Sequence, residues 1–303
     1  MTEREELLDE LRPVAFPIAY RMLGSVSEAE DVVQEALLRV HQALDRGEQI
    51  ASPRAFVATI TTRLAINELR SARVRREHYV GEWLPEPIIT DGHDDPARHA
   101  ETADSLSLAM LVLLESLSPE QRAVLLLRDV FDYGYPEIAK IVGKNEDNVR
   151  QLATRARRHV EQRRPRFQTT REQQDELADR FFKATQQGDL TGLETLLAHD
   201  VELTGDGGGK VPALAETVRG RDRVAGVLGN FGITRLPGVS VRRVEVNGGP
   251  GALYLDAQER LIAVMALEIA DGQIRNINSI VNPDKLRRLG PLADFAALVR
   301  SAT

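Results

Sequence analysis

Residues 118–160 read SPEQRAVLLLRDVFDYGYPEIAKIVGKNEDNVRQLATRARRHV. Ser118 is suited to cap a helix, Pro119 to its first turn, and Gln121 completes a capping-box spacing. Val124, Leu125, Leu127 and Phe131 give that helix an apolar face. Pro136 opens a short second helix buried through Ile138, Ala139, Ile141 and Val142, and Gly143 ends it. Asn145 caps a third. Along the third, Val149, Leu152, Ala153, Ala156 and Val160 fall on one side; Arg150, Gln151, Thr154, Arg155 and Arg158 fall largely on the other. The pattern predicts a helix-turn-helix whose last helix offers Arg, Gln and Thr to a DNA major groove. A basic, solvated helix in an ordinary bundle is the other reading, and this stretch alone leaves both open.

Working outward, residues 12–79 predict a separate helical unit. Ile18, Tyr20–Met22, Leu23, Val32, Val33, Ala36, Leu37 and Val40 recur at helical spacing. Ser27 followed by Glu30 has a capping-box spacing. Ser52–Pro53 opens a further helix with Phe56, Val57, Ile60, Leu64, Ile66 and Leu69 as its buried stripe. That helix then turns basic, through Arg63, Arg70, Arg73, Arg75 and Arg76 with Asn67 among them.

GSVSEAEDVVQEALLRV (24–40) followed by SPRAFVATITTRLAINELRSARVRRE (52–77) resembles domain 2 of the extracytoplasmic-function sigma factors. The helix-turn-helix resembles domain 4 of the same family. WLPEP (Trp83, Leu84, Pro85, Glu86, Pro87) lies between the two. DGGGK (Asp206, Gly207, Gly208, Gly209, Lys210) and NPDKL (Asn282, Pro283, Asp284, Lys285, Leu286) lie in a C-terminal extension. Together they resemble the subgroup fused to a SnoaL-like domain. The resemblance implies two all-α sigma domains and an α+β SnoaL-like conical barrel. The expected boundaries are 1–79 for domain 2, 80–105 for an acidic linker, 106–168 for domain 4 and 169–303 for the barrel. It further implies that Asp31, Gln34, Glu35 and Arg39 bind the polymerase β′ clamp and that domain 4 meets the β flap. Arg63, Asn67, Arg70 and Arg73 would contact the −10 element, because promoter opening needs an unstacked base held in a protein pocket. Arg150, Gln151, Thr154, Arg155 and Arg158 would face the −35 major groove. Leu152 stands where an arginine is common in this family, which leaves the base readout open. The three motifs of linker and barrel would be regulatory contacts, with no separate anti-sigma factor required.

Composition fits this class. The chain has 303 residues, a net charge of −7 and no cysteine, so disulfides and thiolate metal sites are excluded. No apolar run approaches the ~20 residues of a membrane span, and the acidic N-terminus MTEREELLDE does not resemble a secretory signal. A cytoplasmic protein without cofactor or metal is expected. The acidic total hides a basic stripe: from Arg150 to Arg171 the only acid is Glu161. An acidic whole with basic stripes binds free DNA weakly and needs a partner.

The linker carries Glu82, Glu86, Asp91, Asp94, Asp95, Glu101 and Asp104 with three prolines, a composition for an extended chain. It reads either as a solvated tether or, by the resemblance, as a segment threading polymerase. Trp83, the only tryptophan, predicts docking on another surface, the C-terminal domain being one option. Beyond residue 172, EQQDELADRFFKATQQGDLTGLETLLAHDV predicts two helices. VSVRRVEV, ALYLD, LIAVMALEIADG and QIRNINSIVN predict an antiparallel meander with a tight turn at Asp271–Gly272. DGGGK reads as a glycine-rich turn, an interdomain contact or the mouth of a cavity for a small ligand. If the barrel were an enzyme, Asp206 would be its general acid/base, with His199 the nearest histidine. No phosphate loop, zinc spacing or nucleophile elbow is present in the sequence. The alternatives to a sigma factor are a polymerase-independent helix-turn-helix regulator with a ligand-binding C-terminal domain, and an enzymatic barrel on a helical tether.

Overall fold

The computed structural model describes residues 3–76, 79–90, 107–161 and 169–302. They form two compact units: residues 1–78 with 113–164, and residues 79–112 with 165–303.

The first unit begins with α1 (Glu3–Leu23), α2 (Val26–Asp45) and α3 (Pro53–Arg76). Ile18 and Met22 of α1, Val33 and Val40 of α2 and Val57, Ile66 and Leu69 of α3 are buried as the helical spacing marks out, whereas Phe56, Ile60 and Leu64 of the expected stripe are only half-buried. The cap of α2 is Ser25, whose hydroxyl accepts the Glu28 N–H at 3.2 Å, rather than the expected Ser27. Gly24, at φ +68°, turns the chain one step earlier and sets that start.

After α4 (Leu108–Leu114) come α5 (Pro119–Asp129), α6 (Tyr135–Val142) and α7 (Glu146–Glu161). Ser118 and Gln121 cap α5 reciprocally, at 3.2 and 3.0 Å. Gly143 ends α6 in the left-handed region at φ +67°, and Asn145 Oδ1 accepts the Asn148 N–H at 2.8 Å to start α7. Val124, Leu127, Ile138, Ile141, Val149 and Ala153 close the core between the three.

The second unit runs α8 (Arg171–Gln187), α9 (Leu190–Leu196), β1 (Leu197–Asp206), β2 (Val218–Arg219), α10 (Arg221–Phe231), β3 (Ser240–Val246), β4 (Gly249–Leu255), β5 (Leu261–Ala270), β6 (Gln273–Ile280), α11 (Pro283–Leu286) and α12 (Phe295–Ala302). The sheet order is β2-β1-β6-β5-β4-β3. β3 to β6 form the expected antiparallel meander, and Asp271–Gly272, at φ +55° and +70°, closes its last hairpin. Two expectations are corrected. Residues 197–201 are strand and not the end of a helix, and β1 lies parallel to β6, so the sheet is mixed. The apolar run Leu261–Leu267 of β5 follows from burial on both faces. One face packs on Phe181, Phe182 and Leu228 from the helices. The other packs Val264, Ala266 and Ile280 against Leu84, Leu108 and Leu286.

Candidate nucleic-acid interface and linker anchor

The geometry of α7 follows from its two-sided sequence. Val149, Ala153, Ala156 and Val160 are buried. Arg150, Gln151, Thr154, Arg155 and Arg158 are all exposed. Leu152 is partly buried against the core of the helix-turn-helix. Several cations on this surface are held in place before any ligand arrives. Arg150 pairs with Glu146 and lies 4.3 Å from the centre of the Tyr135 ring. Arg128 lies 5.3 Å from the same ring. Arg157 grips both oxygens of Asp129, and this hydrogen-bonded pairing pushes its pKa further up. Residues 162–168, with Arg163 and Arg164, lie outside the described residues.

On α3, Arg63, Asn67 and Arg70 are exposed along one line. Arg63 donates to the carbonyls of Ile141 at 2.8 Å and Lys140 at 2.7 Å, satisfying the C-terminal end of α6. Arg70 pairs with Glu120 on α5 at 2.5 Å. Two of the expected −10 residues are therefore engaged by the helix-turn-helix. The side chain of Arg73 lies outside the described residues, as do those of Arg75 and Arg76. Beneath this seam Arg122 of α5 is buried. Its Nε donates to the Arg21 carbonyl at 3.0 Å, and it pairs with Glu115. Among the described residues its Nη2 finds no hydrogen-bond partner, and burial lowers its pKa to about 9. A buried charge with one unpartnered donor is costly.

On α2, Asp31, Gln34 and Arg39 are exposed and Glu35 is half-exposed, with Arg39 Nε donating to Glu35 at 2.7 Å. Leu38, which the helical spacing does not single out, is 49% exposed in their midst. An apolar side chain framed by charges suits a protein partner.

Within the second unit, residues 79–90 form an extended strap, and the three motifs meet there. Asp206, at the end of β1, is fully buried. It accepts from the Leu84 N–H at 2.9 Å, the Tyr79 hydroxyl at 2.5 Å and Lys285 Nζ at 2.6 Å. Lys285 also donates to the Leu84 carbonyl and lies 4.3 Å from the Trp83 ring centre. Asn282 donates to the Tyr79 hydroxyl at 2.7 Å and caps α11 through the Asp284 N–H. Burial, and then the hydrogen bond to Asp206, push the Tyr79 phenol up. Gly208, at φ +60°, leaves room for Asn282, whose Nδ2 would lie 2.3 Å from an added Cβ. Lys210 pairs with Asp284 across the loop. Leu84, Pro85, Glu86 and Pro87 are buried, and Leu84 alone is worth roughly 1.5–3 kcal/mol. Further on, Ile89 bridges to Val246, and the amides of Thr90 and Asn247 complete a short ladder with Glu245 and Ile88.

Asp206 is thus committed to the strap, while His199 is exposed near the other end of β1, so the two do not form an acid/base pair. The helix-facing side of the sheet is filled by Phe181, Phe182, Tyr254 and Met265, with the Tyr254 hydroxyl spent on the Met265 sulfur at 3.3 Å. Clefts of about 380 and 200 Å³ open beside Gln173 and Asp271 and beside Arg171 and Arg243. No helix among the described residues is long and apolar enough to cross a membrane. Sequence reasoning missed Tyr79, Leu38, Tyr135 and Asn247. Tyr79 alone carried a signal, as an aromatic residue shortly before WLPEP.

Comparison with known proteins matches residues 7–75 to Sigma-70 region 2 and residues 107–160 to Sigma-70 region 4. The chain is 37% identical over 290 residues to the ECF RNA polymerase sigma factor SigJ of Mycobacterium tuberculosis, covering 91% of this chain and 90% of that one. It is 32% identical over 278 residues to the probable ECF RNA polymerase sigma factor SigI of the same organism, covering 89% and 90%. The crystal structure of Mycobacterium tuberculosis SigJ aligns at 34% identity with a TM-score of 0.72, covering 92% of this chain and 98% of that chain.

Proposed function

The chain belongs to the extracytoplasmic-function RNA polymerase sigma factors, which direct core polymerase to promoters, and we propose how its surfaces divide that work. The observation that carries the reading is the sidedness of α7: five polar and basic residues exposed, with the opposite face locked in a core. Arg150, Gln151, Thr154, Arg155 and Arg158 read the −35 element in the major groove. Arg63, Asn67, Arg70 and Arg73 engage the −10 element. Asp31, Gln34, Glu35, Leu38 and Arg39 of α2 bind the β′ clamp, and the helix-turn-helix rests on the β flap. The protein works in the cytoplasm, where its polymerase is.

Arg63 and Arg70 must leave Lys140, Ile141 and Glu120 before they meet DNA. Binding to polymerase therefore exchanges contacts between helices for contacts with polymerase and promoter, a population shift driven by differential affinity. Through WLPEP, DGGGK and NPDKL, the barrel holds the segment joining the two sigma regions, and sets activity without a separate anti-sigma factor. A small ligand in the barrel has less support, since Tyr254, Met265 and two phenylalanines occupy the helix-facing side of the sheet.

The test is a gel shift on promoter duplexes with and without core polymerase, joined to transcription in vitro. Specific binding that needs core supports the reading. Equal binding without core overturns it in favour of an independent regulator. Arg155→Ala is expected to remove a groove contact of roughly 1–3 kcal/mol, lowering transcription sharply while core binding survives.

A further inference from the structure

Tyr135 is the first residue of α6, the helix that supports α7 rather than the one that faces DNA. Even so, guanidinium groups from both neighbouring helices converge on it. Arg150 of α7 lies 4.3 Å from its ring centre and Arg128 of α5 lies 5.3 Å away. Arg157 Nη1 reaches its hydroxyl at 3.5 Å, the limit of a hydrogen bond. Tyr135 itself is half-buried.

A guanidinium has two separate ways of binding. Its face stacks on an aromatic ring, while its edge carries the N–H donors that pair with a base or phosphate. Stacking on Tyr135 therefore leaves the edge donors of Arg150 available, one of them parked on Glu146. A free arginine side chain loses much rotamer entropy on ordering. A side chain already held on a ring loses less when DNA arrives. Acids order the other two cations: Asp129 takes Arg157, and Asp132 with the Tyr133 carbonyl takes Arg128.

We propose that Tyr135 is a positioning residue for promoter recognition, a stacking platform that presents Arg150 edge-first to the −35 groove. The inference rests on Arg150 contacting DNA and deepens that reading by naming what holds it. Tyr135 itself touches no base. Its ring acts through Arg150 and, more weakly, through Arg128.

The experiment uses holoenzyme formed from the full chain and core polymerase. A duplex library with a randomised −35 region supplies the probe, and the winning duplex is then titrated. Tyr135→Leu should weaken binding about two- to fivefold, the range expected of one exposed cation–π contact, and relax selection at the position Arg150 reads. Tyr135→Phe, which keeps the ring, should restore most of the affinity and the selection. A merely structural role is separated by the double variant. If Tyr135 acts through Arg150, Tyr135→Leu adds little once Arg150→Ala is present; additive losses overturn the proposal. If Arg150→Ala weakens binding but Tyr135→Leu does not, the platform fails and the groove assignment stands. If neither changes binding, both the platform and the role of Arg150 in the groove fall.

Discussion

Glu268 is half-buried on β5, where it accepts a hydrogen bond from the Asn276 amide. Burial raises its pKa, with Glu202 adding to the rise and the Asn276 bond and Arg275 opposing it. A carboxyl raised on folding favours the native state below its unfolded value, about 4.3, and that contribution is lost as pH climbs through the folded value. Near neutral pH the ionised group therefore opposes folding. Glu268→Gln keeps an acceptor for Asn276 and removes the charge. The variant should unfold at higher urea than wild type at pH 7, with the difference narrowing toward pH 4. Equal midpoints at pH 7 would show that Glu268 is solvated after all. Single residues also mark what was legible in the sequence. Ser118, Gly143, Asn145 and Asp271–Gly272 act through bonds to near neighbours, and all appear where the turn chemistry put them. Arg63, Arg70 and Arg122 act on groups 50 to 101 residues away, and no local rule names such partners.

The same division holds for the elements. α2 and α7 are legible because each has one buried side at helical spacing, whereas α5 is buried all round from Arg122 to Leu127. β1 is hidden because LETLLAHDV continues the apolar spacing of α9, and only pairing with the distant β6 makes it a strand. α10 carries Gly226 and Gly229, poor helix formers, and owes its place to packing of Val224, Ala225 and Leu228 in the barrel core. α2 also yields a prediction. The polar side of this helix is not used in its own core, so changing it tests partner binding alone. Asp31→Lys with Glu35→Lys reverses the charge there. In isolation the double change costs only about 0.4–1 kcal/mol, chiefly by replacing the Glu35–Arg39 pair with like charges one turn apart. The melting temperature should barely move, while pull-down of core polymerase is lost. A variant that melts normally and still captures core would remove α2 from the interface.

At the scale of the whole chain, the strap turns a connection into a possession of the barrel. Region 2 matches up to residue 75 and region 4 from residue 107. Of the residues between, 79–90 are fastened to the second unit by Asp206, Lys285, Asn282 and the Ile89–Val246 bridge. Tethering makes any action of the barrel on the sigma regions intramolecular, at roughly millimolar effective concentration, so weak contacts suffice to shift a population. Asp206→Ala is a poor probe, because it strands Lys285 as a buried cation at a cost of about 3–5 kcal/mol. Leu84→Ala is better. It removes a buried strap side chain for about 2–5 kcal/mol while leaving every barrel residue in place. Proteolysis should then cut the strap sooner, and the second unit should melt several degrees lower, because Leu84 belongs to its core. Promoter-directed transcription with core should change in the same direction as in a chain ended after residue 168, and core binding should persist in both. If the truncated chain alone changes transcription, the barrel regulates by a route other than the strap. Should both variants transcribe as wild type, the barrel has no hold on sigma activity, and the fastening of residues 79–90 serves the stability of the second unit only.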